Sequence, residues 1–381
     1  MVCLHFCTSE AWGGLELYAC TLMAELRNSG CVVYAVCKPD SKVEEFLKRQ
    51  GIQTVHLPGS SRISWRAVRF LRSLVRQNNV QVLHVHFHKD IWPASLALKN
   101  DSRNLFLSIY MGVPRKNDFL HRFIFSRVDA IFTSSFELVR RLPELYPVKS
   151  SRIHFLPYGR SVDRERRDEE ARARIRAGYG LNSDEIFVGT MVRIDPGKGV
   201  MDFARSFNYI TPSIRRKIKF LIVGEPTRKG HARSNESPFE EHCEAYLRDL
   251  EGYIIGENLR EKILLAGFQE DIVGTLSALD IFVFPSRDEL YSLVVLDAMC
   301  LGLPIVAARA GGNTDQIQDG INGFLYTVGD SEDMAEKISV YLQNPALRSQ
   351  HGIEARKSVE EKHDMKKTIR QLLGFYSTGR T

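Results

Sequence analysis

Four ionisable residues in the second half of the chain are spaced to act on one anionic substrate. Arg193 and Lys198 flank the glycine-rich turn of Met191-Val192-Arg193-Ile194-Asp195-Pro196-Gly197-Lys198-Gly199, where an apolar run gives way to a helical pattern. Two cations beside the exposed N–H groups of such a turn can converge on phosphate-like charge. Glu289 and Asp297 sit eight positions apart, Glu289 in a loop after an apolar run ending at Phe284. A helix is expected to start near Ser292, aiming the N–H groups of Ser292 and Leu293 outward, with Tyr291 in the approach. Asp297 falls inside that apolar helix, where a carboxylate is costly unless it faces a polar group.

Cations and a helix N-terminus stabilise a departing diphosphate, and carboxylates hold sugar hydroxyls. Transfer of a sugar from a nucleotide diphosphate needs this combination, because the leaving group gains negative charge as the sugar becomes oxocarbenium-like. Each signal also has a plain structural reading. Arg193 and Lys198 fit a surface ion pair at an ordinary strand-to-helix turn, and Asp297 fits an acid favoured by a helix dipole. After the helix come Gly302-Leu303-Pro304, an apolar run, and Ala310-Gly311-Gly312-Asn313, a small-residue turn that admits a ligand close to backbone.

The order of these pieces resembles the retaining glycosyltransferases of family four, which have the two-Rossmann GT-B architecture. The resemblance runs from Gly13-Gly14-Leu15-Glu16, through Pro157-Tyr158-Gly159, to Asp319-Gly320-Ile321-Asn322-Gly323. It implies that Arg193 and Lys198 contact the donor diphosphate, that Glu289 contacts donor-sugar hydroxyls, and that Asp297 holds the ribose. It further implies that Gly13 and Gly14 form a loop reaching toward donor and acceptor. Three features depart from the family pattern. The second carboxylate is Asp rather than Glu, one methylene shorter. The usual Gly-Phe-Gly is Leu290-Tyr291-Ser292. Tyr110 stands where the family often has His, and a tyrosine is a poor base at neutral pH.

His84, His86 and His88 alternate and are expected to share one strand face. Core packing, an acceptor or phosphate contact at His86, and a zinc site are the three readings. The chain has no Asp-x-Asp. Metal-independent catalysis without a cofactor is therefore the expectation.

These side chains need a scaffold that gathers them. The chain has 381 residues, beyond the size at which one core stops growing, so two domains are expected. Apolar runs suited to strands alternate with helical patterns through Leu156, and the rhythm restarts at Ile186. Two tandem α/β Rossmann-like domains follow, each a doubly wound parallel sheet, with the site in the cleft between them. The expected divisions are 1–165 for the acceptor domain and 166–355 for the nucleotide-sugar domain. A final helix over 356–381 would cross back to the first domain. The charged stretch Asp163–Ala177 reads as the connection, part of it helical, and Gly352–Tyr376 reads as helical.

Residues 1–165 hold 23 Lys and Arg against 14 Asp and Glu, a net of +9, and the remainder nets −3 (29 against 32). The basic half suits an anionic partner. Arg62, Arg66, Arg69 and Arg76 recur at helical spacing beside Trp65, Phe70 and Leu74, and Pro114–Arg127 mixes Arg115, Lys116 and Arg122 with three phenylalanines. Such a basic amphipathic surface suits docking on anionic lipid. No run approaches the ~20 apolar residues of a membrane span. The seven cysteines show neither a disulfide framework nor zinc spacing. A cytoplasmic address follows, peripheral to the membrane if the basic face docks. The expected partners are a nucleotide-sugar donor and a glycan or glycolipid acceptor, with no nucleic acid. A nucleotide-sugar epimerase or hydrolase on the same architecture, and a non-catalytic sugar-nucleotide binder, are the rival readings.

Overall fold

Short runs rich in Val, Ile and Phe become strands, and the amphipathic stretches between them become helices. The computed structural model describes residues 1–58, 64–112, 114–163, 166–229 and 237–378. Two units result, Met1–Gly159 with Met365–Thr381, and Arg160–Asp364.

The first unit carries β1 (Val2–Cys7), β2 (Val32–Cys37), β3 (Gln53–Val55), β4 (Val82–Val85), β5 (Asn104–Ser108), β6 (Ala130–Thr133) and β7 (Ile153–Phe155). They pair in parallel in the order β3-β2-β1-β4-β5-β6-β7. The second unit carries β8 (Ile186–Met191), β9 (Ile218–Val223), β10 (Ile263–Gly267), β11 (Ile281–Phe284), β12 (Ile305–Ala308) and β13 (Phe324–Tyr326). Their order is β10-β9-β8-β11-β12-β13, again parallel.

Each sheet is buried on both faces, which is why its strands read as near-continuous apolar runs. In the second unit Phe203 stacks on Phe220 at 4.5 Å, and Ile222, Val283, Tyr326 and Tyr341 complete the same core. Each such side chain contributes about 1.5–3 kcal/mol on burial. Strand order reverses between β1 and β4 in one sheet and between β8 and β11 in the other. The loops leaving those strands diverge there and open a crevice at the carboxyl ends.

The structure refines three expectations. The charged stretch is part helical, as expected, but it is more than a connection. It forms the helix Glu169–Gly178, capped by Asp168, and belongs to the second unit. Arg172 and Arg176 both bind the Asp280 carboxylate, at 2.6 and 2.8 Å, and Arg172 also donates to the carbonyls of Ser277 and Leu279. Charge pairing, invisible in the local pattern, docks it.

The last segment is two helices, Pro345–Lys362 and Met365–Thr378. The break falls at His363 and Asp364, where the Arg160 N–H donates to the His363 carbonyl at 2.6 Å. The chain therefore enters the second unit at Arg160 and leaves it at Asp364, rather than at 166 and 355. The final helix packs on the first sheet. Its Tyr376 is buried against Phe106, with the hydroxyl 2.5 Å from His84 Nδ1.

Candidate active site

In the second unit, Lys198 and Glu289 meet across the switch point. Lys198 ends a short 3-10 turn after β8, Pro196–Lys198, which Asp195 caps by accepting the Gly197 N–H at 2.9 Å. Glu289 lies in the loop after β11. The ammonium sits 2.8 Å from Glu289 Oε2 and 3.3 Å from Ser286 Oγ, and both charged side chains are part-buried. Gly199 follows at φ +66°, with the Pro285 carbonyl where a Cβ would stand, so the two loops touch backbone to backbone. Arg193 is exposed at the end of β8 and pairs with no carboxylate among the described residues.

The loop after β12 braces the same region. The Gly312 N–H donates to the Glu289 carbonyl at 2.8 Å. Gly311 has φ +45°, and a Cβ on Gly311 or Gly312 would collide with the Glu289 or Leu290 carbonyl. The glycines predicted to admit a ligand thus first admit the Glu289 loop itself. Arg287, on that loop, binds Asp202 at 2.6 Å and ties it to the helix Val200–Tyr209.

Ser292 caps the helix Leu293–Cys300 by accepting the Val295 N–H at 3.4 Å. Gln316 clamps Ser292 from both sides, its Oε1 accepting Ser292 N–H at 3.0 Å and its Nε2 donating to Ser292 O at 2.8 Å. The first N–H groups of this helix carry the positive end of its dipole. The Ser292 N–H is already bonded to Gln316 and the Val295 N–H to Ser292 Oγ.

Two donor-side candidates are turned to other work. Tyr291 is buried, its hydroxyl 2.8 Å from His363 Nε2. Asp297 pairs with Arg160, Oδ1 to Nε at 2.5 Å, while Arg160 Nη2 donates to the Leu293 carbonyl at 3.2 Å. The cost of a carboxylate inside an apolar helix is thus met by a cation from 137 positions upstream. Sequence reasoning missed Arg160 and Gln316. Arg160 follows directly on Pro157-Tyr158-Gly159, the one local signal that the position matters.

In the first unit, Gly13 is exposed and extended, its N–H bonded to Glu16 Oε2 at 3.0 Å, and Gly14 opens the helix Gly14–Asn28. A Cβ on Gly13 would meet nothing nearer than Glu16 Oε2 at 3.5 Å. The unit itself does not demand glycine there. Tyr110 lies just beyond β5 in a cluster with Tyr18 and Tyr158, and burial pushes its phenol well above the ordinary value. It cannot act as a base at neutral pH.

The histidine expectation is corrected. His88 starts a 3-10 turn away from the others, and the third partner of His84 and His86 is His5 on β1. His5 Nδ1 is 2.9 Å from His86 Nε2, and His84 Nε2 is 2.8 Å from Ser108 Oγ. His86 is buried and reaches Tyr110 only at 3.5 Å, so it sits behind the loops rather than on them. Adjacent strands in register placed His5 beside His84, which no spacing could reveal. Burial lowers all three imidazoles, His5 to about 3.

Residues 171–358 match the family model "Glycosyl transferases group 1", and residues 12–164 match "Glycosyltransferase Family 4". The chain belongs to this glycosyltransferase family. Among its relatives, it is 22% identical to the N-acetyl-alpha-D-glucosaminyl L-malate synthase of Bacillus anthracis, over 80% of this chain and 77% of that one. It is 27% identical to the D-inositol 3-phosphate glycosyltransferase of Saccharomonospora viridis, over 62% of this chain and 52% of the relative. The matched part thus spans about half the length of that relative. The family's GT-B fold is seen in Anabaena HepE in complex with UDP, with a TM-score of 0.84, 17% identity and coverage of 99% and 100%. The group 1 match falls on the unit holding Lys198 and Glu289.

Proposed function

We propose that the chain is a retaining glycosyltransferase that moves a hexosyl group from a UDP- or GDP-sugar to a hydroxyl of a cell-envelope glycan or glycolipid. The Lys198–Glu289 contact across the switch point carries this reading. It puts a cation and a sugar-binding carboxylate side by side, with Arg193 on the same loop and a capped helix N-terminus next to Glu289. Lys198, Arg193 and the first N–H groups of the helix at Ser292 stabilise the departing diphosphate, and Glu289 orients the sugar hydroxyls. The acceptor hydroxyl attacks on the face the diphosphate leaves, and its proton passes to a leaving-group oxygen. No metal or cofactor enters this scheme. HepE's bound UDP supports a uridine donor. Asp297 would reach a ribose only while holding Arg160. Gly13, Gly14 and Tyr110 are the first unit's candidates for the acceptor side.

A cytoplasmic location with docking on an anionic membrane is part of the proposal. On the first unit, Trp65 is 62% exposed and Phe119 79% exposed. Trp65 starts the helix Trp65–Gln77, which turns Arg66, Arg69 and Arg76 to solvent, and Lys99 lies 3.8 Å over the Phe123 ring. Arg62 lies outside the described residues. No described helix is long and apolar enough to cross a membrane.

A thermal-shift series with UDP, GDP, ADP and their sugars tests the donor, since a ligand of the folded state adds about 2.7 kcal/mol at 100 times its Kd. One base should raise the melting temperature, and Lys198→Ala should abolish that rise. Silence from every nucleotide would overturn the proposal. An epimer accumulating without acceptor would replace transfer by epimerisation.

A further inference from the structure

We infer that Asp195, His242 and Cys243 form a binding site for a thiophilic divalent cation of the zinc class, bracing the turn that carries Lys198. Cys243 Sγ lies 3.3 Å from His242 Nε2 and 3.5 Å from Asp195 Oδ2, and one ligand atom from each residue falls within 4.8 Å of the others. A tetrahedral zinc with bonds of about 2.3 Å to sulfur and about 2.0–2.1 Å to nitrogen and oxygen separates its ligand atoms by roughly 3.5 Å. The observed separations are already close to that. The donor set, one thiolate, one imidazole and one carboxylate, is one that zinc accepts, and the fourth position would fall to water.

The surroundings suit the ligands. His242 Nδ1 faces Glu240 Oε2 at 3.6 Å, the carboxylate-behind-histidine arrangement that orients a metal-bound imidazole. Asp195 is oriented by the Gly197 N–H on Oδ1 and by the Thr227 hydroxyl, 3.2 Å from Oδ2. Cys243 is fully buried and His242 is exposed, so the imidazole side offers entry. The spacing hid the site, because Asp195 lies 48 positions before Cys243 and on another loop.

Binding replaces the thiol proton by the metal, and the proton leaves to solvent. The cation then joins the loop after β8 to the helix Glu241–Gly256, immediately before Pro196–Lys198. It acts on the donor site by fixing the position of Lys198, not by touching substrate.

Cobalt(II) is the probe. The full chain, stripped with a chelator and kept reduced, should bind one equivalent with a thiolate-to-cobalt charge-transfer band that zinc then bleaches. Cys243→Ser should lose the band, and Asp195→Asn should weaken binding tenfold or more. Exposed His242→Gln should do the same without lowering the melting temperature of the metal-free protein, which covers the case in which Cys243→Ser folds poorly. The absence of any such band, or an undiminished band in both Cys243→Ser and His242→Gln, would overturn the site.

Discussion

Asp297, the carboxylate that the family pattern assigns to ribose, is held at 2.5 Å by Arg160, the first residue of the second unit. Both side chains are largely buried. Removing one partner of such a pair leaves an uncompensated charge and costs about 3–5 kcal/mol. Arg160→Met should therefore lower the melting temperature sharply, and Asp297→Asn should lower it less, because an amide still accepts from the guanidinium. If instead Asp297→Asn leaves stability unchanged and only raises KM for the donor, the carboxylate serves ribose and not the fold.

Glu289→Gln keeps the size of the side chain and removes the charge facing Lys198. Turnover should fall about 100-fold or more, with nucleotide affinity nearly unchanged, if Glu289 acts on the transition state. Steady-state kinetics beside nucleotide titration separates the two. Undiminished kcat would remove Glu289 from the mechanism.

Gly312→Ala forces a methyl group into the Leu290 carbonyl. The Glu289 loop must move, at a cost of about 1–3 kcal/mol. Activity should drop with a modest loss of melting temperature, whereas Gly13→Ala, which meets no such wall, should leave the melting temperature unchanged. A Gly312→Ala enzyme with full activity would show that the loop position is not critical.

Acid should destabilise the first unit through its buried histidines. Their folded pKa values lie below the unfolded value near 6.5, so the unfolded chain binds more protons in between. Stability is present above about pH 6.5 and is lost as pH falls toward about 3. For His5 alone the loss at pH 5.5 is about 1.4 kcal/mol. Denaturant titrations at pH 7.5 and 5.5 should show a smaller difference in His5→Gln than in the wild type. An equal difference would mean that His5 is protonated in the folded protein.

Vesicles of phosphatidylglycerol should retain the protein in sedimentation, and neutral vesicles should not. Arg69→Gln with Arg76→Gln should weaken retention about 30-fold at about 1 kcal/mol per arginine, and raised salt should do likewise. Equal binding to neutral vesicles would end the electrostatic reading.

The strands were legible in the sequence because parallel strands buried on both faces leave continuous apolar runs. The strands Val32–Cys37, Ala130–Thr133, Ile281–Phe284 and Ile305–Ala308 are such runs. The positions of Lys198 and Glu289 at strand-to-helix turns were legible for the same reason, since each follows such a run.

Tertiary structure decided which residues meet. Charges carry no periodicity that names a partner, so Arg160 on Asp297, Arg172 on Asp280 and Cys243 beside Asp195 appear only when the chain closes on itself. The register of β1 on β4 likewise chose His5 over His88 as the companion of His84. Local pattern fixes where an element begins, because burial period is a property of neighbouring residues. Pairing between distant groups depends on sheet order, and a single chain of letters does not contain that distance.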